Sequence, residues 1–250
     1  MDVWIKLLLP FALLLGRISA FFAVLPLFSW RALPMRIRAA MALVVTIFFA
    51  TITPRPALAD SISPLAAGIL LAREIICGLA LGMAARFVFM AVQQGGRYIG
   101  RQMGLAMAQV MDPTTGERTQ PIGMFFDMIF ALFFLAAGYH RLLVLLIGRS
   151  YQAWPVGTTP TLGALTEGLV KAGSIMLLFA LKLAAPLLAA FLILSVVLAI
   201  LARVLPEMNI LMTSFPLRIG LGIFMAAAIM PTMSSFTAEL GQWMNQFLIR

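Results

Sequence analysis

GGRYIGRQMGLAMAQVMDPTTGERTQ, residues 95–120, stands apart in a chain otherwise dominated by long apolar runs. It carries glycines at 95, 96, 100 and 104, Asp112, Glu117 and three arginines, and it follows the pair Gln93 and Gln94. Glycine lets backbones approach closely and lets a chain leave helical geometry. Irregular backbone between membrane-type helices is stable only where protein or a water-filled cavity covers it. The stretch therefore reads as a pore-side or gate element around which long helices are arranged. Met103, Met107 and Met111 recur every four residues through it. If the stretch is helical they form one flexible apolar stripe. Such a stripe fits ordinary core packing and, beside the glycines and the Asp112–Pro113 turn, equally fits a deformable seal around a conduit.

Composition sets the class. Of 250 residues 62% are hydrophobic and 11% charged, against about a quarter charged in a soluble domain, and the mean hydropathy is +1.03. This is an all-α integral membrane or membrane-complex protein. The single cysteine, Cys77, lies in an apolar run and excludes a disulfide framework or thiol metal site. The formal charge of +9 raises nucleic acid as a partner, but the arginines are scattered through loops and helix ends. Positive-inside topology and contact with anionic lipid account for them better.

Six apolar stretches follow one another as long, kinked helices, and Arg141 and Arg149 fall on the expected outside face, so the charges do not follow a simple hairpin topology. The first, residues 3–26, is expected to be a helix of the protein rather than a cleavable signal peptide, because Asp2 spoils the positive start and Arg17 interrupts the run. Arg31, Arg36 and Arg38 form the densest basic cluster and are expected to face the cytoplasm, placing the N-terminus outside. Residues 35–53 make a second helix of about bilayer length. A proline-rich turn ends it, and Ser61 or Ser63 caps a third, overlong helix over 65–98. Pro121 opens a fourth helix that extends to Ile147. Residues 150–161 read as an interfacial loop with Tyr151 and Trp154 at headgroup level. The fifth stretch, 162–203, is kinked at Pro186, and the sixth, from 210 onward, at Pro216 and Pro231. There is no short-period repeat.

Arg17, Arg73, Glu74, Arg86, Asp127, Lys182, Arg203 and Arg218 fall inside these helices, each costing about 2.5–3.5 kcal/mol in lipid. They are expected to face partner helices, cavities or the interface. Lys182 and Asp127 are candidates to pair across helices, and Arg203 and Glu207 are four apart, although Pro206 intervenes. No HExxH, P-loop, GxSxG or matched carboxylate pair is present, and lone His140 reads as interfacial. The chain is therefore not read as an enzyme, and no cofactor or metal site is expected.

Gly96, Ile99, Gly100, Gln102, Met103 and Gly104, then Asp112 and Pro113, Gly138 with His140, Pro155 with Gly157, LPEMNI (205–210) and FPLRIGLG (215–222) occur in this order. The ordered set, covering essentially the whole chain, resembles the flagellar biosynthesis FliR family and its type III secretion relatives. The resemblance implies a subunit of the export gate in the flagellar basal body of the bacterial inner membrane. It implies assembly with FliP and FliQ, association with FlhB, and passage of unfolded export substrates through a conduit. It divides the chain into a FliP-like part, 1–161, and a FliQ-like part, 162–250. The family's plug corresponds to residues 102–119, giving Gln102, Met103, Gly104, Met107, Met111, Asp112 and Pro113 as plug and pore residues. Arg203 and Glu207 become candidate contacts to FlhB or a neighbouring gate subunit. Glu207 departs from the family, where glutamine is commoner. The contending reading from the residues is a small secondary transporter, which calls for paired repeats and a midplane polar cluster; neither is visible.

Overall fold

Apolar runs bounded by proline, serine and glycine fold into helices whose ends those residues mark. A computed structural model of the chain describes residues 2–25, 34–53, 63–104, 121–158, 160–205 and 210–249. Among them the elements are α1 (Asp2–Val24), α2 (Met35–Ile52), α3 (Pro64–Gln102), α4 (Pro121–Ala136), α5 (His140–Ala153), α6 (Leu162–Val204), α7 (Ile210–Ile229), a 3-10 turn (Met230–Thr232) and α8 (Met233–Ile249). No strand occurs among the described residues, in accord with the all-α expectation.

The punctuation works as its chemistry dictates. Pro64 and Pro121 open α3 and α4, where a missing N–H costs nothing. The Ser63 Oγ accepts from the Ala66 N–H at 3.3 Å, so Ser63 supplies the cap of α3. Thr161 does the same for the Ala164 N–H at the head of α6, also at 3.3 Å. The 39 residues of α3 and 43 of α6 far exceed the roughly 20 that cross a bilayer. Four described helices or helix pairs have the length and hydropathy of a membrane span, and a fifth arises if α4 and α5 count as one interrupted span.

Two expectations are corrected and one holds. The apolar pattern over 121–147 is two helices, because Gly138 adopts φ +75° and its N–H turns back to the Leu135 carbonyl at 3.0 Å. The last stretch is interrupted at Pro231 as expected, where a 3-10 turn separates α7 from α8 within one span-like run, Ser214–Met244. The segment after residue 150 remains helical to Ala153, and Tyr151 is buried rather than presented at an interface.

The chain forms two compact units. The first comprises Met1–Phe87, Tyr139–Gly173 and Met244–Arg250. Here Gly78 and Gly82, four apart on α3, form the smooth face against which α1 lies. A Cβ at Gly78 would run into the Arg17 carbonyl oxygen, and one at Gly82 would come 2.9 Å from that of Phe21. Small residues at this spacing let two helices touch backbone to backbone. That approach buries Arg17 and Glu74 completely, and they pair at 2.5 Å. The Arg17 Nη1 also donates to the Trp154 carbonyl at 3.1 Å and the Ser150 carbonyl at 3.3 Å. The other Glu74 oxygen accepts from the Gly157 N–H at 2.8 Å. The Tyr151 ring stacks under the guanidinium at 4.4 Å, and its hydroxyl donates to the Leu14 carbonyl at 3.3 Å. Of the guanidinium nitrogens Nε and Nη1 are satisfied in this way, whereas Nη2 is buried without a hydrogen-bond partner; removing one member of such a buried pair is strongly destabilising.

The second unit comprises Val88–Gly138 and Ser174–Trp243. Gly96 on α3 meets Gly123 on α4, where a Cβ would lie 2.7 Å from the Gly123 Cα. Phe89, Phe130 and Phe134 fill the space beside this contact with centroids 5.0–5.7 Å apart, the spacing aromatic pairs prefer. Lys182 on α6 pairs with Glu239 on α8, not with Asp127. The choice follows from packing one turn earlier, where Phe179 meets Phe236 edge to face at 5.8 Å and sets the two helices in register.

Candidate functional site

The irregular stretch is shorter than the glycine content implies. Gly95, Gly96 and Gly100 stay inside α3, where they serve close packing, and the helix ends only at Gln102. The Met103 N–H still donates to the Ile99 carbonyl at 3.1 Å, and the Gly104 N–H turns to the Arg101 carbonyl at 3.1 Å. Gly104 has φ +80°, a left-handed cap conformation that side chains resist. Among the glycines at 95, 96, 100 and 104, Gly104 alone changes the direction of the chain.

That exit is seated on α7. Phe215, Arg218 and Gly222 are spaced three and four apart and therefore share one helical face. A Cβ at Gly104 would meet the Phe215 ring at 3.3 Å. The Arg218 Nη1 donates to the Gln102 carbonyl at 3.3 Å, supplying a cation and a donor where a helix end leaves acceptors unpaired. Its Nη2 donates to the Ser195 Oγ of α6 at 3.2 Å, and that hydroxyl donates to the Phe191 carbonyl at 2.8 Å. Gly222 makes room for Met103: a Cβ there would fall 2.5–2.7 Å from its Cγ, Sδ and Cε atoms. Met103 is consequently 1% exposed. The root of the segment is thus fixed by one apolar plug-in contact, one ring and one bridging arginine.

A family model described as bacterial export proteins, family 1, matches residues 8–243. The chain belongs to that family. It is 32% identical to the flagellar biosynthetic protein FliR of Escherichia coli K12, an alignment covering 96% of this chain and 91% of the relative. The FliR of Bacillus subtilis strain 168 is also 32% identical, over 92% of this chain and 89% of its own. The Yop proteins translocation protein T of Yersinia pestis is 29% identical over 84% and 82%.

For this family member, the residues singled out from sequence divide into two sets. Gln102, Met103 and Gly104 are brought together on the α7 face, whereas Met107, Met111, Asp112, Pro113 and Glu207 lie outside the described residues. Arg203 is exposed in the last turn of α6, and His140 is exposed at the first residue of α5. The role of Phe215, Arg218 and Gly222 as a seat was missed. The signal was an arginine in an apolar helix with an aromatic three residues before it and a glycine four after it.

Proposed function

We propose that this chain is a non-enzymatic structural and pore-forming subunit of a flagellar-type type III protein export gate, in which residues 102–119 form a plug across a conduit for unfolded substrates. Its partners are FliP and FliQ, with FlhB associated, in the basal body of a bacterial inner membrane. Residues 1–161 form the FliP-like part and 162–250 the FliQ-like part, and Arg203 with Glu207 contacts FlhB or a neighbouring subunit. The observation that carries the reading is the anchored root: Met103 sits against Gly222, and Arg218 holds the last helical carbonyl. A fixed root with a polar, glycine- and methionine-bearing continuation suits a segment that must hold its place at rest and yield to passing chains. Methionine tolerates varied contacts because its thioether is flexible, and an apolar constriction excludes ions without a fixed charge. Gln102, Gly104, Asp112 and Pro113 shape the turn, Met103 anchors the segment, and Met107 and Met111 supply the seal. The names of the relatives from Escherichia coli, Bacillus subtilis and Yersinia pestis support placement in protein export.

The test has two steps. Native mass spectrometry of the tagged, co-purified complex is expected to find one copy with several copies of two smaller membrane proteins; a stable monomer binding a small solute refutes the gate reading. Deleting residues 102–119 is then expected to leave assembly intact and make the membrane leaky to ions. Loss of assembly with no leak assigns the segment to the scaffold instead.

A further inference from the structure

We propose that Ser195 of α6 is the positioning residue that turns Arg218 into a clasp, so that the root of the segment 102–119 is held only while α6 and α7 stay in register. All the groups involved lie in the second unit. Ser195 is the one side chain able to hydrogen-bond between Lys182 and Arg203, a run otherwise of alanine, leucine, isoleucine, valine, Phe191 and Pro186. Serine is a poorer helix former than alanine, and the neighbours Leu192, Ile193, Val196 and Val197 are apolar and exposed. Neither propensity nor packing calls for a hydroxyl at this position. The contact with Arg218 does.

The polarity of that contact is fixed. A hydroxyl has one proton and two lone pairs, whereas a guanidinium only donates. The Ser195 proton is committed to the Phe191 carbonyl one turn back, at 2.8 Å, and Phe191 is itself buried. The Ser195 oxygen is thereby left as an acceptor of set direction, and the Arg218 Nη2 donates to it at 3.2 Å. Because a guanidinium is a rigid planar fork, holding Nη2 also aims Nη1, which reaches the Gln102 carbonyl at 3.3 Å. Without the serine, Arg218 keeps its charge and loses its aim. No carboxylate pairs with Arg218 among the described residues. Its two partners are neutral oxygens at the long end of the hydrogen-bond range, one on α6 and one at the end of α3. A displacement of α6 by about 1 Å takes the Ser195 oxygen out of reach, and the hold on Gln102 weakens with it. The inference deepens the plug reading and rests on it for what the clasp retains, while the clasp itself is tested without it.

The experiment is hydrogen–deuterium exchange at the Met103 and Gly104 amides of the full-length chain in its co-purified complex. These N–H groups donate to the Ile99 and Arg101 carbonyls and exchange when the root opens. S195A is expected to speed their exchange about tenfold, the scale of one long charge-assisted hydrogen bond, and S195T, which keeps the hydroxyl, to behave as wild type. R218K should match S195A, because lysine keeps the charge but not the fork, and S195A should add nothing in an R218Q background. T166A, which removes a hydroxyl elsewhere on α6 that donates to the Gly163 carbonyl at 2.8 Å, should leave exchange unchanged. Wild-type exchange in S195A overturns the proposal. So does wild-type exchange in R218K, which shows that a bare charge at the end of α3 suffices, or an acceleration in T166A equal to that in S195A. Alanine favours the helix, so S195A decides alone if the Arg218 variants do not assemble. Failure here is distinct from failure of the plug reading: a leak on deleting 102–119 with unchanged exchange in S195A removes the clasp only, and faster exchange in S195A with no leak on deletion removes the plug only.

Discussion

Alanine in place of Gly78 and alanine in place of Gly100 are expected to shift stability in opposite directions, although both glycines lie in the same helix. At Gly78 the new methyl group overlaps the Arg17 carbonyl oxygen and lies 2.9 Å from its carbon and 3.0 Å from the Ala20 Cβ. Those obstacles are largely backbone, so α1 must move as a body, and Arg17 is drawn away from Glu74. Forcing a methyl into a closed contact costs about 1–3 kcal/mol, while alanine recovers only about 1 kcal/mol over glycine inside a helix. The weakened ion pair adds to the deficit. At Gly100 the nearest atoms are the Ile122 Cβ and Cγ1 at 3.7 and 3.9 Å, an ordinary contact, so the propensity gain is kept. The two variants should differ by about 2–3 kcal/mol, which at roughly 2–4 °C per kcal/mol for a chain of this size is a separation of ~4–12 °C in melting temperature. The assay is the fraction of full-length chain that stays monodisperse after heating in one detergent. Equal midpoints, or a G78A variant at least as stable as wild type, would show that the α1–α3 contact is looser than described.

The buried pair and the α7 seat supply three more expectations. E74Q strands the Arg17 guanidinium in the interior and should cost about 3–5 kcal/mol, whereas the apolar double variant R17M/E74M should recover much of it; thermal midpoints of both decide, and a double variant as unstable as the single one refutes the pairing argument. G222A should disturb the Met103 seat in wild type but be tolerated in an M103A background, a coupling of about 0.5–3 kcal/mol by double-mutant cycle; strict additivity separates the two residues. G104A imposes a left-handed conformation at about 1–2 kcal/mol and should raise ion conductance of the assembled complex without changing its subunit count. A leak-free G104A complex would mean that the cap does not hold the plug.

Much of the architecture was legible because its signals are local. Helix starts at Pro64 and Pro121, the Ser63 cap and the overlong third and fifth stretches all follow from backbone chemistry within a few residues. The end of the fourth helix at Gly138 was missed because glycine in an apolar run is ambiguous until its φ is known. Tyr151 was assigned to an interface for the same kind of reason: a tyrosine beside a tryptophan and a proline looks interfacial unless a buried arginine stacks on it. In the candidate site, the Gly95–Gln120 stretch was recognisable from composition, but its glycines serve two purposes. Gly96 brings α3 against α4, while Gly104 ends the helix, and one-dimensional spacing does not separate these uses.

The sequence alone determined the solvent class, the helical period, the starts of α3, α4 and α6 and the family, since hydropathy, capping chemistry and an ordered set of short motifs are all properties of neighbouring residues. Pairings between distant residues were decided only in three dimensions. Arg17 could have met any carboxylate facing its helix, and Lys182 either Asp127 or Glu239. The contacts made by Gly78, Gly82 and Phe179 set which helices touch and in what register, and the charges then took the partners within reach. The α7 seat has the same origin: Phe215, Arg218 and Gly222 acquire a role only because the end of α3 arrives on their shared face.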